Sequence, residues 1–348
     1  MSVLAAGLWK AGFRVAVAVL GPVNTPIADE LRQAGIPIHS VPLHHRFDFR
    51  GLRALRRVVN GANPAVVHAW GPGAVWATAG LVPRAGEGSR PVVVSAASFP
   101  ASGVFGWLTT RLARRLARVV AASWAESERY RHLGIAPGLL TRVGPAVSPA
   151  PPLPNREAFL RDLGLPQTAR LVMTAGRLES GPELQAAVWA FDMLRYEFPD
   201  LYLLIFGTGP DRAGVEAFGR ALAFDDYRVR FPGYRPDLPA LLGLAEVVWV
   251  TQERGGVNLA LEAMAAGRPV VGWKSPDLVE VVDEGETGFL VDPKERALIA
   301  ARTHGLLSDP DSATNFGAAG RARVAERFGS NRMVELFRRV YESVVAGQ

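Results

Sequence analysis

Patterns typical of buried strands and of helices alternate along the whole chain. Short apolar runs rich in β-branched residues, such as "FRVAVAVL" (13–20) and "PAVVHAW" (64–70), indicate strands buried on both faces of a sheet. Helical segments lie between such runs, for example "IADELRQAG" (27–35) and "FRGLRALRRVVN" (49–60). This order predicts an α/β fold built on doubly wound parallel sheets.

A proline-rich segment, "VSPAPPLP" (147–154), divides this alternation in two. Proline at this density holds neither a helix nor a central strand, so we interpret the segment as a stiff linker. A chain of 348 residues also exceeds what one core normally holds. We therefore predict an N-terminal domain at 1–149, a second domain at 150–330, and an amphipathic C-terminal helix at 331–348.

The start of the chain departs from the doubly wound pattern. "MSVLAAGLWKAG" (1–12) indicates a first helix that is followed directly by what should be the second strand. Such a domain normally opens with a strand and a glycine-rich turn, and a sheet without that strand exposes two unpaired edges. Two explanations stay open: the N-terminus is truncated relative to its relatives, or another segment fills the gap.

Charge is unevenly distributed between the two halves of the chain. Residues 1–150 carry 17 Lys and Arg against 6 Asp and Glu, whereas residues 151–348 carry 22 against 27. A basic half joined to an acidic half supports two domains, and it predicts that the first half faces an anionic partner.

Composition excludes several classes of site. The absence of cysteine removes disulfides, iron–sulfur clusters and thiolate zinc sites, and it fits a reducing compartment such as the cytoplasm. The six histidines show no metal-ligand spacing, so no metal is expected. We also expect no signal peptide and no membrane span, since no apolar run reaches about 18 residues.

The basic segment at 108–119 is a candidate membrane contact. Arg111, Arg114, Arg115 and Arg118 recur at helical spacing among leucines, and a basic amphipathic helix can lie at the inner face of an anionic bilayer. A solvated helix face is the alternative. No recognised nucleic-acid motif accompanies the segment, so we expect no nucleic-acid partner.

The stretch "ERGGVNLALEAMAAGRPVV" (253–271) combines a glycine-rich turn with a short helix. Gly255 and Gly256 let the backbone approach a ligand closely, and Asn258 is the expected N-cap. A helix N-terminus attracts anions, and Glu262 lies about one turn inside the helix. This arrangement suits a diphosphate at the helix start with a carboxylate that accepts hydrogen bonds from ribose hydroxyls. The alternative places Glu262 on a solvated helix face.

Five landmarks in order resemble one family, the retaining nucleotide-sugar glycosyltransferases of group 1 type (family 4-like), which have the GT-B fold. They are "TAGRL" (174–178), "IFGTGPDRAGVEAFGRAL" (205–222), "VRFPGYRPDLPALLGLAEVVWV" (229–250), "NLALEAMAAGRPVVGW" (258–273) and "ETGFLVDP" (286–293). A weaker match in the first half covers "IADELRQAGIPIHSV" (27–41) and "PAVVHAWGPGA" (64–74).

The resemblance implies two Rossmann-like domains that face each other across a cleft, with the last helix crossing back to the first domain. The C-terminal domain would bind the nucleotide sugar, and the N-terminal domain a glycan, lipid-linked or small-molecule acceptor. The nucleotide sugar would be a substrate, and no cofactor is implied. The oligomeric state stays open.

The resemblance assigns the acidic positions of the glycine-rich stretch. In similar enzymes the second Glu of an E-x7-E pair binds the ribose, and Glu262 matches it, with Asn258 and Leu259 at the start of the same helix. Arg254 occupies the first Glu position, and Glu253 lies one residue early. Either the loop shifts to present Glu253 to the donor sugar, or Arg254 contacts an anionic group such as a sugar carboxylate or a phosphate.

The resemblance also assigns Arg177 to the leaving group. Relatives use this Arg, together with a nearby Lys, to neutralise the diphosphate as the glycosidic bond breaks. Ser180 stands where the Lys is expected.

Two more places along the second half match positions that lie near the nucleotide in relatives. They are Gly207 with Gly209, and Tyr234 after Gly233. Helix–strand packing and a plain turn are the respective alternatives.

In the first half, relatives often place a His where Ala97 stands, and His68 ends a strand. His68 is either a cleft residue or a strand-end histidine with its hydrogen bonds satisfied. The leading hypothesis is a glycosyltransferase that acts with retention. The alternative is a catalytically impaired relative that serves as a binding or scaffolding subunit, because the missing strand, Ala97, Ser180 and Arg254 all depart from the family pattern.

Overall fold

The computed structural model describes residues 1–43, 48–79, 92–95, 111, 116–179, 181–223, 228–252 and 256–346. The chain forms two compact units. Unit 1 consists of Met1–Ala146 together with Ser330–Gln348, and unit 2 is Val147–Gly329. All the paired strands described run parallel to their neighbours, so the predicted α/β class with parallel sheets is confirmed.

Unit 1 contains two separate parallel sheets. Its elements are α1 (Ser2–Lys10), β1 (Val17–Leu20), α2 (Pro26–Gln33), β2 (Ile38–Val41), α3 (Phe49–Ala62), β3 (Val67–Trp70), α4 (Pro72–Ala79), β4 (Val92–Ser95), β5 (Arg118–Ala121), α5 (Trp124–His132) and β6 (Leu140–Arg142). One sheet pairs β1 with β2, and the other has the order β3-β4-β5-β6. No strand among the described residues joins the two sheets.

The predicted basic helix at 108–119 is wrong at its C-terminal end. Arg118 and Val119 belong to β5, where Val119 is fully buried and the Arg118 guanidinium donates to the Gly138 carbonyl oxygen at 2.8 Å. Leu116, just before the strand, is also buried. The rest of that segment, apart from Arg111 and Ala117, lies outside the described residues.

Unit 2 is built on one six-stranded parallel sheet. Its elements are α6 (Arg156–Asp162), β7 (Arg170–Ala175), α7 (Gly181–Leu194), β8 (Leu201–Phe206), α8 (Arg212–Ala223), β9 (Val229–Gly233), α9 (Leu238–Leu241), β10 (Val247–Val250), α10 (Val257–Ala265), β11 (Val270–Trp273), β12 (Gly288–Val291), α11 (Ala297–Ser308) and α12 (Pro310–Arg327). The strand order is β12-β11-β10-β7-β8-β9.

The central strands of unit 2 are apolar on both sides because helices cover both faces of the sheet. Side chains of β7 alternate between two cores: Leu171 and Met173 pack into one, and Val172 packs into the other. β10 does the same with Val248 and Trp249. The strands are therefore fixed in position by packing on both faces of the sheet.

The last helix, α13 (Ser330–Ala346), belongs to unit 1 and packs against α1. Leu4 and Leu8 of α1 share a core with Met333 and Phe337. The two helices approach closely at Gly7, where an added Cβ would lie 2.3 Å from a methyl carbon of Val334. The amphipathic pattern near the end of the chain thus buries its apolar side in unit 1.

Candidate functional site

The loops after β7, β8 and β9 lie at one edge of the unit 2 sheet, because parallel strands all end on the same side. Backbone hydrogen bonds join these loops. The Leu178 amide donates to the Thr208 carbonyl at 3.0 Å, and the Gly207 amide donates to the Gly233 carbonyl at 2.9 Å. Ligands of doubly wound sheets bind at this carboxyl edge.

Gly207 and Gly209 allow two of these loops to touch. A Cβ at Gly207, whose φ is 122°, would lie 1.9 Å from the Gly176 carbonyl oxygen. A Cβ at Gly209 would lie 2.2 Å from the Leu178 carbonyl oxygen. Both distances are shorter than any side chain tolerates, so backbone packing alone requires glycine here. A role for either glycine at a nucleotide stays a prediction.

Arg177 belongs to the loop after β7, which backbone hydrogen bonds on both sides of this residue hold in place. Its side chain is 83% exposed and forms an ion pair with Glu179, which is itself half exposed. Exposed ion pairs of this kind contribute about 0–1 kcal/mol to stability, so the guanidinium can leave Glu179 and bind an anionic ligand at little cost in free energy.

The helix of the glycine-rich stretch does not begin as expected. α10 starts at Val257 with Gly256 as its N-cap, and no side chain of a described residue caps it. Asn258 is instead an exposed second residue of the helix, so its predicted capping role is wrong. Glycine is required at position 256, because a Cβ there would lie 2.3 Å from a methyl carbon of Val250. Among the described residues, no side chain accepts from the free amide groups of the first turn of α10.

Glu262 lies on α10 among buried residues. Burial raises the pKa of its carboxyl group to about 7. In the part of the chain that the structure describes, this carboxylate has neither a hydrogen-bond donor nor a cation as partner. The side chain is only partly exposed, which differs from the solvated helix face considered above. A half-buried carboxylate without a partner is costly, and its oxygens are available to a ligand.

The end of β10 contributes polar groups that the sequence patterns did not identify. The Gln252 side-chain amide donates to the Ala175 carbonyl oxygen at 2.7 Å, which ties this loop to the end of β7. Its Oε1 and the hydroxyl of Thr251 are buried and without a hydrogen-bond partner among the described residues. The only sequence signal for Thr251 and Gln252 was their position directly after a buried strand, at the carboxyl edge of the sheet.

The other predicted site residues differ in their surroundings. Tyr234 is 59% exposed and follows Gly233, whose φ of 81° marks a turn that favours glycine. Leu259 is 6% exposed, and its side chain belongs to the core, so only its backbone is available to a ligand. Glu253, Arg254 and Gly255 lie outside the described residues, as do Ala97 and Ser180.

His68, in unit 1, is a packed histidine. Its Nδ1 lies 2.7 Å from the Tyr341 hydroxyl, and its ring packs against Phe337. Burial lowers the pKa of the imidazole to about 4, so the ring is neutral at physiological pH. The satisfied strand-end interpretation is met only in part, because His68 is the second residue of β3 and its Nε2 is buried without a partner among the described residues.

Within the described ranges, no group of three or more His, Cys, Asp or Glu side chains is arranged to hold a metal ion. None of the described helices has both the length and the apolar character that crossing a bilayer requires.

Both halves of the chain match family models. Residues 2–151 match Glycosyltransferase Family 4, and residues 155–323 match Glycosyl transferases group 1. Over 186 residues the chain is 27% identical to N-acetyl-alpha-D-glucosaminyl L-malate synthase of Bacillus anthracis. This match covers 53% of this chain and 48% of the relative. Over 169 residues it is 34% identical to D-inositol 3-phosphate glycosyltransferase of Corynebacterium efficiens, a match that covers 46% of this chain and 40% of that relative. The chain thus spans about half the length, or less, of these curated relatives.

A solved structure resembles the chain over almost its whole length. The complex of Anabaena Alr3699/HepE with UDP-glucose superposes with a TM-score of 0.84 and covers 98% of this chain and 94% of that one. The sequence identity is 18%, so this likeness concerns the fold alone. It confirms the predicted GT-B fold with two Rossmann-like domains.

Proposed function

Because this chain belongs to the group 1 glycosyltransferases of GT-B fold, we propose that it transfers a sugar from a nucleoside-diphosphate sugar to an acceptor hydroxyl. We further propose that transfer proceeds with retention, as the family resemblance implies. The curated relatives, named for transfer to malate or to inositol phosphate, support an acceptor that carries negative charge. The excess of cations in residues 1–150 is compatible with such an acceptor.

The proposal rests most directly on Glu262. Its carboxylate is half buried and has no partner among the described residues, on a helix whose first turn has no side-chain cap. A diphosphate at the start of α10 would accept hydrogen bonds from free backbone amides, and its charge would suit the helix dipole. The ribose hydroxyls would then donate hydrogen bonds to Glu262 and so become the partners that this carboxylate lacks.

Arg177 would serve the leaving group. When the bond between the anomeric carbon and the phosphate oxygen breaks, the nucleoside diphosphate keeps the electron pair and gains charge. The acceptor oxygen forms the new bond to the anomeric carbon, and its proton passes to the departing phosphate oxygen. Arg177 is exposed and only weakly held by Glu179, so it can turn to this developing charge. Glu253 or Arg254 would contact the donor sugar, as the sequence resemblance implies.

Calorimetry with UDP-glucose and other nucleotide sugars tests the proposal. Arg177→Ala and Glu262→Gln should each weaken donor binding by about tenfold or more, since each removes a charged partner. Arg161→Ala and Glu326→Gln, which change exposed residues of the same types on α6 and α12, are the matched controls. If both site variants bind every donor as the parent does, the site is wrong.

A second measurement separates catalysis from binding. Purified protein that transfers or hydrolyses a bound nucleotide sugar would exclude the scaffolding alternative, which Ser180 and Arg254 motivate. Binding without any turnover across donors and acceptors would favour that alternative.

A further inference from the structure

Helix α3 carries a one-sided positive face, which we call the arginine face. It consists of Phe49, Arg50, Arg53, Arg56 and Arg57, all of them exposed, with Phe49 75% exposed. At about 100° per residue these five side chains fall within an arc of roughly 120°. The face therefore combines four cations with one exposed aromatic ring on a single side of the helix.

The opposite side of α3 fixes this orientation. Gly51 and Leu55 are buried, and Leu55 shares a core with Val41 of β2. A Cβ at Gly51 would lie 2.7 Å from the Pro42 carbonyl oxygen, so the helix lies directly on the chain that follows β2. Asp48 fixes the first turn by accepting hydrogen bonds from the Arg50 and Gly51 amides at 3.1 and 3.0 Å. The arginine face cannot rotate inward without losing these contacts.

The positive charge of this face is not neutralised within the described part of the chain. α3 contains no acidic residue, and its four arginines have no ion pair or side-chain hydrogen bond to a described residue. Several exposed arginines elsewhere in unit 1 differ. On α5, Arg129 and Arg131 pair with Glu126 and Glu128, and on α13 Arg338 pairs with Glu335. The face therefore presents a concentrated positive potential to its surroundings.

We propose that the arginine face of α3 docks on an anionic membrane surface. The arginines would lie against lipid phosphates, and Phe49 would enter the boundary between headgroups and acyl chains, where an aromatic ring on a basic helix is favoured. Phosphate charge alone would also suit a nucleic acid. The exposed phenyl ring at the end of the face favours a lipid surface, which offers an apolar layer just below its charges. This docking does not depend on the sugar site of unit 2.

Vesicle flotation of the full-length protein tests this docking. We expect binding to vesicles of phosphatidylcholine with about one third phosphatidylglycerol, and little binding to phosphatidylcholine alone. Each arginine near such a surface contributes about fivefold to the partition coefficient, so Arg53→Gln/Arg57→Gln should lower it by about 25-fold. The charge-conserving pair Arg53→Lys/Arg57→Lys should retain most of the binding. Raising the salt concentration to about 1 M should weaken the parent, because the Debye length falls to about 3 Å.

Arg129→Gln/Arg131→Gln is the matched control, since it removes the same charge from exposed positions of the same unit. It should bind anionic vesicles within about twofold of the parent if α3 is the contact. Equal losses in the two glutamine pairs would overturn the proposal, as would binding that does not depend on phosphatidylglycerol. Tighter binding to double-stranded DNA than to anionic vesicles, with loss in the α3 variant, would also overturn it in favour of a nucleic acid. Donor binding by the α3 variant should equal that of the parent, so this test and that of the sugar site fail separately.

Discussion

Glu262→Gln should make the protein more stable at alkaline pH while weakening its binding of the donor. The carboxyl group has an ordinary pKa of 4.5, and burial raises it to about 7 in the folded chain. Between these values the folded chain holds a proton that the unfolded chain has lost, so this group's contribution to stability is lost as pH rises. Glutamine has the same shape but does not ionise, so it escapes this loss.

The pKa values set the size of the effect. Ionising a group whose pKa has risen from 4.5 to about 7 costs at most about 3 kcal/mol of unfolding free energy. The carboxylate is partly exposed, and solvent reduces this to about 1–3 kcal/mol. At about pH 5 most of the penalty is absent, whereas at about pH 8 nearly all of it is present. The stability difference between variant and parent should therefore grow by about 1–2 kcal/mol across this range.

Urea denaturation of parent and variant at the two pH values measures this difference. Glu326→Gln, at an exposed position of α12, should change the unfolding free energy by less than about 0.5 kcal/mol at either pH. Binding of UDP-glucose provides an opposite readout, because the ionised carboxylate is the form that accepts hydrogen bonds from ribose. The parent should bind more tightly as pH rises from about 6 to about 8, and the variant should bind weakly throughout. A variant whose stability advantage is the same at both pH values would refute the burial argument.

Three further predictions concern the same unit. Arg177→Ala should lower kcat/KM by about 100-fold or more, because the proposed role of the guanidinium is to stabilise the leaving group. The unfolding free energy should change little, since the side chain is exposed; steady-state kinetics and denaturation check the two parts. Gly207→Ala should lower the unfolding free energy by about 3 kcal/mol or more, because its Cβ would meet the Gly176 carbonyl oxygen. Gly214 on α8 is the control: the space around it is open, so Gly214→Ala should be neutral or stabilising by up to about 1 kcal/mol in the same denaturation assay. Arg254→Glu restores the family's first carboxylate and should shift donor preference from carboxylated to neutral sugars; equal kcat/KM ratios for the two donor classes in parent and variant would contradict a role in donor choice.

The sequence predicted those parts of the fold that depend on local periodicity. Apolar runs such as "ARLVMTAG" identified the buried strands, because a strand covered on both faces is apolar at most positions. The Asn258 cap was wrong, because the helix begins at Val257 and Gly256 is its N-cap. Residue preference could not show that Val250 leaves no room for a side chain at that cap. The partner of His68 was equally out of reach, because Tyr341 lies 273 residues further along the chain.

In the candidate site, the backbone holds the loops together while several polar side chains lack partners, and no local sequence pattern reveals this arrangement. Glycines bring the backbones of its loops into direct contact, and main-chain hydrogen bonds together with the Gln252 side chain hold the carboxyl edge of the sheet. Polar side chains at that edge are left without partners among the described residues, namely Glu262, Thr251 and Oε1 of Gln252. Folding alone would favour pairing these groups or replacing them with apolar ones, since each costs free energy when buried and unpaired. Their retention on a rigid frame is what a binding site requires, because the ligand then supplies the missing hydrogen bonds without reordering the loops.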